Sequence, residues 1–130
     1  MRQIKFRGKA IKGDKWCHGD FEYNPQKRIA RIHTYHEDGS YNRQHIVRIE
    51  TIGQFTGLLD KDGKEIYEGD IFSLTQFCIM VVWNNYEGRY NLIRHNDNQW
   101  VLPLDTRFTK YYAVIGNIHD NPELMKGGKA

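Results

Sequence analysis

From Ile4 to Ala10 the chain alternates Ile4, Phe6, Gly8 and Ala10 with Lys5, Arg7 and Lys9. A period of two is the mark of a β-strand with one face buried and the other wet. The "KGDK" that follows predicts a tight turn, because Gly13 and Asp14 tolerate positive φ. "KWCHGDFEY" then reads as the return strand, with Trp16 in the core. A second hairpin is predicted around Asp38-Gly39, its strands carrying Ile29, Ile32, Tyr35, Tyr41, Ile46, Val47 and Ile49, and a third around Asp62-Gly63. Gly69 permits a bend, and Asp70 is placed to bond nearby backbone amides. "CIMVVW" predicts a strand buried on both faces or set in a barrel wall. "NNYEG" turns the chain into "RYNLIRH", and "QWVLPL" stops at Pro103. "KYYAVIGNI" predicts a further strand. "DNPELMKGG" predicts a short helical turn with Asn121 as cap, Pro122 first and Gly127 as stop. No repeat or heptad interrupts this mostly β pattern.

At 130 residues the chain suits one domain, or one domain with a small added layer. Such a length buries roughly two thirds of the unfolded surface, so stability needs neither disulfide nor metal. Seventeen residues are Phe, Trp or Tyr, which favours packed β-structure over helical bundles. No apolar run approaches the ~20 residues of a spanning helix, and the charged start lacks a signal-peptide segment. A cytoplasmic protein with no membrane partner is expected. Cys17 and Cys78 form no CxxC pair, so reduced thiols are expected.

The net charge of +3 conceals an uneven distribution. Residues 1 to 15 carry Arg2, Lys5, Arg7, Lys9, Lys12 and Lys15 against Asp14. Residues 50 to 72 carry Glu50, Asp60, Asp62, Glu65, Glu68 and Asp70 against Lys61 and Lys64. Opposite local fields favour contact within a subunit or between two. The acidic stretch fails as a calcium loop: counted from Asp60, Gly63 falls fourth instead of sixth and Ile71 stands twelfth where glutamate is needed. Its acids and its four glycines, Gly53, Gly57, Gly63 and Gly69, read instead as turn chemistry.

His33 and His36 form HxxH, but three residues apart in a hairpin means opposite faces, and no metal site is predicted. There is no GxSxG, no GxxxxGK[ST] and no HExxH, and Cys78 lies in an apolar run where thiols are inert. No catalytic residue and no cofactor is assigned, and enzyme activity is not expected. Lys5, Arg7 and Lys9 would project from one strand face about 7 Å apart, given ~3.4 Å per residue. A basic stripe beside aromatics is a device of single-strand nucleic-acid binders, and these three are the candidate polyanion contacts. A charged outer strand that blocks edge-to-edge pairing explains the stripe equally well. The charge split and the Tyr- and Trp-rich strands favour a non-enzymatic, self-associating interaction protein, a homo-oligomer. The single-stranded nucleic-acid module is the alternative.

"IGQFTGLLDKDGKEIYEGDIF", followed by "VVW" and closed by "VIGNIHDNPELM", resembles the YopX family of small proteins encoded by bacteriophages and prophages. The opening "IKFRGKAIKGDKW", with "HGDF" after it, is similar to that family's first hairpin, while Asn24 to Arg48 offers no motif to compare. The resemblance implies an SH3-like β-barrel from about Ile52 to Ile118 with an N-terminal β layer, hence a layer at 1–50 and a barrel with C-terminal turn at 51–130. It brings no catalytic residue set. Its phage setting adds inhibition of a bacterial host protein as a further alternative.

Overall fold

The computed structural model describes residues 3–94 and 97–128, apart from the side chains of 97–100 and 127–128; Arg2 of the basic segment and His95 of "RYNLIRH" lie outside the described residues. The chain divides into two compact units, Met1–Phe55 and Thr56–Ala130. The described strand pairings are antiparallel.

The first unit holds β1 (Phe6–Lys9), β2 (Trp16–Asn24), β3 (Ile29–Tyr35), β4 (Tyr41–Val47), a 3-10 turn at Ile49–Thr51 and the start of β5 (Gly53–Leu59). The pairing order is β4-β3-β2-β1-β5. Both predicted turns form: Gly13 and Asp14 take φ of 84° and 56°, and Gly39 takes 88°. β2 pairs with β1 up to Gly19 and with β3 from Asp20 onward, so the strand changes partner at a glycine. An Ala10–Val47 bridge, with Ile11 N–H donating to Ile46 O at 3.0 Å, brings the end of β4 back against the end of β1. The curl encloses a core of small and branched side chains, Ala10, Cys17, Ala30, Ile32 and Val47.

Three expectations change here. β1 is not an outer strand, because β2 and β5 flank it on both sides. Ile4 precedes the strand and stays exposed. Trp16 is only half-buried, since it lies on the sheet face opposite Cys17 and the core.

The second unit takes in the rest of β5 and adds β6 (Glu65–Tyr67), β7 (Asp70–Ser73), β8 (Cys78–Asn84), β9 (Arg89–Arg94), β10 (Asp97–Pro103), α1 (Thr106–Thr109), β11 (Gly116–Asn117) and a 3-10 segment at Pro122–Gly128. Its larger sheet runs β10-β9-β8-β7-β11. The core is aromatic and aliphatic, with the Phe72 and Phe108 rings edge to face at 5.1 Å. The described pairings do not close a barrel between Ile52 and Ile118. β10 ends at Pro103, which has no N–H for the ladder, and the chain turns into α1.

Asp105 caps that helix, its side chain accepting from Arg107 N–H. Asp105→Ala is expected to cost about 1 kcal/mol, read as a lower urea midpoint at unchanged slope. The predicted "KYYAVIGNI" strand shrinks to Gly116–Asn117, paired with Ile71 and Asp70. The "DNPELMKGG" turn forms as a 3-10 segment, with Leu124 N–H donating to Asn121 O at 3.1 Å.

Candidate functional site

The two buried acids of the acidic stretch, Asp60 and Asp70, are occupied by backbone amides. Asp60 is buried, and its Oδ1 accepts from the N–H groups of Asp62 and Lys64 at 2.9 Å each. Its Oδ2 accepts from Val114 N–H, also at 2.9 Å. Burial alone would push the Asp60 carboxyl up, but the three amide donors win and hold it below the ordinary carboxylate value. Asp70 is buried too and accepts from Tyr67 N–H at 2.7 Å, and Glu65 accepts from the Tyr67 hydroxyl at 2.9 Å. Asp60 and Asp70 shape turns. Asp60 does it across 54 residues of sequence, closing the Asp62-Gly63 hairpin and anchoring Val114 at once.

The basic stripe is also engaged. The Arg7 guanidinium carbon sits 4.6 Å from the Trp16 ring centre, Lys9 Nζ lies 5.7 Å from the same ring, and Lys5 Nζ lies 5.6 Å from that of Phe55. Arg7 is 6% exposed and the Lys9 side chain 12%. Cations held over aromatic faces gain about 0.5–2 kcal/mol and lose reach toward solvent. The register explains the pairing, because Lys9 stands opposite Trp16 and Arg7 opposite His18. Lys5, Arg7 and Lys9 do share one sheet face, packed against its aromatics.

His33 and His36 part company. His33 Nε2 lies 2.7 Å from Glu22 Oε1 and its Nδ1 lies 3.1 Å from the Tyr41 hydroxyl, whereas His36 N–H helps form the Asp38-Gly39 turn by donating to Ser40 O. Among the described residues no three His, Cys, Asp or Glu side chains gather as a metal site. Cys17 and Cys78 are buried thiols not joined in a disulfide, and burial pushes both up, away from the reactive thiolate.

The unit's open positive surface lies elsewhere, in a groove of about 990 Å³ between the β1–β2 turn and β4. Lys12, Lys15 and Arg43 line it together with His18 and His45. No acidic residue is among its described lining residues. Asp14, in the same turn, is drawn off by Arg48 and by Lys9 at 3.2 Å, and the Arg48 hydrogen bond is the main reason its carboxyl lies below the ordinary value. Further described ion pairs of this unit engage Arg31, His33 and Arg48. Lys12, Lys15 and Arg43 stay exposed, so a concave, one-signed surface focuses its field outward.

Sequence reading placed Lys12 and Lys15 in the basic segment but did not single them out, and it missed Arg43. The available signal was the count of cations flanking Gly13. Arg43 comes beside them only through the sheet, by pairing with Thr34 on β3.

A family model described as YopX protein matches residues 5–126. Among solved structures, the crystal structure of protein EF1440 from Enterococcus faecalis is 23% identical, with a TM-score of 0.55, over 97% of this chain and 100% of that one. At that identity the likeness concerns the fold alone. No curated protein matches.

Proposed function

The chain belongs to the YopX family, and from that premise we propose that it is a non-enzymatic interaction protein whose binding surface is the groove of the first unit and whose partner is a polyanion. One observation carries this reading: Lys12, Lys15 and Arg43 line a single concave surface that includes no described carboxylate. Fixed positive charge in a groove attracts and holds an anion without chemistry being done to it. The charge split that argues for self-association draws less support, because Asp60 and Asp70 are buried under backbone amides and Lys9 and Arg7 are packed on Trp16. The second unit reads as SH3-like in its strand order, since a four-strand meander ends in a helical turn and β11 comes back to its first strand, β7.

Fluorescence anisotropy with a labelled anionic oligomer tests the groove. If three phosphates are neutralised, the salt slope is about −2.7, and affinity falls roughly 40-fold between 50 and 200 mM salt. Lys12→Glu with Arg43→Glu, both exposed, should abolish that slope while leaving the circular dichroism spectrum unchanged. Binding that ignores both salt and the paired substitution overturns the reading.

A further inference from the structure

The groove runs along an open strand edge. β4 ends the pairing order, with β3 on one side only. Ile11 N–H donates to Ile46 O at 3.0 Å and Arg48 N–H to Lys9 O at 2.9 Å, on either side of the Ala10–Val47 bridge. The backbone of Ile46 therefore faces away from β3, and that of Val47 faces toward it, opposite Ala30. Antiparallel ladders alternate in this way residue by residue. Arg43 and His45 thus bond inward to β3, while the N–H and C=O of Gln44 point out of the sheet, and among the described residues no backbone group bonds them there. β1 cannot, because its chain leaves β4 at the Gly13 turn. Side chains alternate as well. Gln44 and Ile46 lie on the face of His33 and Arg31, with exposed Ile11 across from Ile46, whereas Arg43 and His45 lie on the opposite face with Thr34 and Ile32.

Building on the proposed polyanion groove, we propose that its partner is an extended acidic peptide that adds antiparallel to β4 at Gln44, with alternate carboxylates on the Arg43 face and the intervening apolar residues on the face of Ile46 and Ile11. A strand edge offers a donor and an acceptor from one residue, and an extended peptide answers both. The sugar–phosphate backbone of DNA supplies acceptors but no donor for Gln44 C=O. The charge of the groove selects among peptides, since Lys12, Lys15 and Arg43 line it with no described carboxylate. The same charge disfavours a second copy of this chain, because pairing β4 with β4 would bring another Arg43 into a groove that is already cationic. Directly opposed residues of an antiparallel pair share a face, so the residues opposite Gln44 and Ile46 are the apolar ones, and theirs are the backbone groups that bond to β4.

The test uses a labelled peptide of about ten residues, a long strand's length, alternating glutamate and valine. It is compared by fluorescence anisotropy with two N-methylated forms, one methylated on every valine nitrogen and one on every glutamate nitrogen, and with an oligothymidylate of equal charge. Methylation of the valines should weaken binding about tenfold or more, through the loss of two or more backbone hydrogen bonds, and methylation of the glutamates should leave it nearly unchanged. Gln44→Pro removes the outward N–H and spares the ladder to β3, a change that edge strands accept. It should weaken the unmethylated peptide roughly three- to tenfold, with its fold checked by the unfolding midpoint. Should that variant fail to fold, the pair of methylated peptides still decides. Equal effects of the two methylations, or loss with the glutamate set instead, overturn the strand addition. Oligothymidylate binding as tightly as the peptide overturns the peptide assignment and leaves the polyanion groove standing. Binding of neither removes the groove reading itself.

Discussion

Gly19→Ala is expected to lower stability by about 3 kcal/mol, the upper range for forcing an atom into packed structure. A Cβ built at Gly19 falls 1.9 Å from the His33 carbonyl oxygen and 2.9 Å from its carbonyl carbon. Both are backbone atoms of β3, so no side-chain rotation can make room. Relief requires β2 and β3 to separate at the residue where β2 changes partner, which strains the pairing on both sides. Urea denaturation should show a midpoint lower by one to three molar, for slopes typical of small proteins. Gly39→Ala is the control: its Cβ would meet nothing within 4 Å, and only the φ of 88° opposes it, at about 1–2 kcal/mol. Similar midpoints for the two variants would contradict the steric argument.

Asp60→Ala is expected to cost about 3–4 kcal/mol. It strips the acceptor from three amide groups at one stroke, and each hydrogen bond to a charged group contributes about 1.5–3 kcal/mol, less what water restores at a partly buried site. Asp60→Asn keeps one acceptor oxygen and should cost less. The carboxyl's pKa is lower in the folded protein than in the unfolded chain, where it is near 3.8. Its contribution is therefore complete above that unfolded value and is lost as pH falls through the lower folded value. Thermal unfolding followed from pH 5 down to pH 2 should show the wild type losing part of its advantage over Asp60→Asn below about pH 4. A gap that is constant over that range would mean that the carboxylate is not held by these donors.

Local turn chemistry was readable directly from the residues. Gly13-Asp14, Asp38-Gly39, Asp62-Gly63 and Gly69 all act as corners, and each of those glycines has positive φ. Hairpin strands next to those corners followed. The failure at "KYYAVIGNI" has a specific cause. Two long-range acceptors, Asp60 Oδ2 for Val114 N–H and Ile71 O for Ile115 N–H, hold this segment in place without a ladder. Nothing in its alternating apolar residues signals a carboxylate 54 positions away. The same limit explains the site. Alternation put Lys5, Arg7 and Lys9 on one face, but whether that face met water or aromatic rings depended on the Lys9–Trp16 register. Arg43 joins Lys12 and Lys15 only because the sheet curls until β4 meets the end of β1.

The most direct test of the groove as the binding surface is a titration of the isotope-labelled protein with the anionic oligomer, followed by amide chemical shifts. Perturbations should concentrate at residues 10–18 and 42–46, with Lys12, Arg43 and Ile46 among the largest, and should shrink as salt rises. Shifts centred on the second unit, or on Lys5 and Phe55 with the groove silent, would contradict the account.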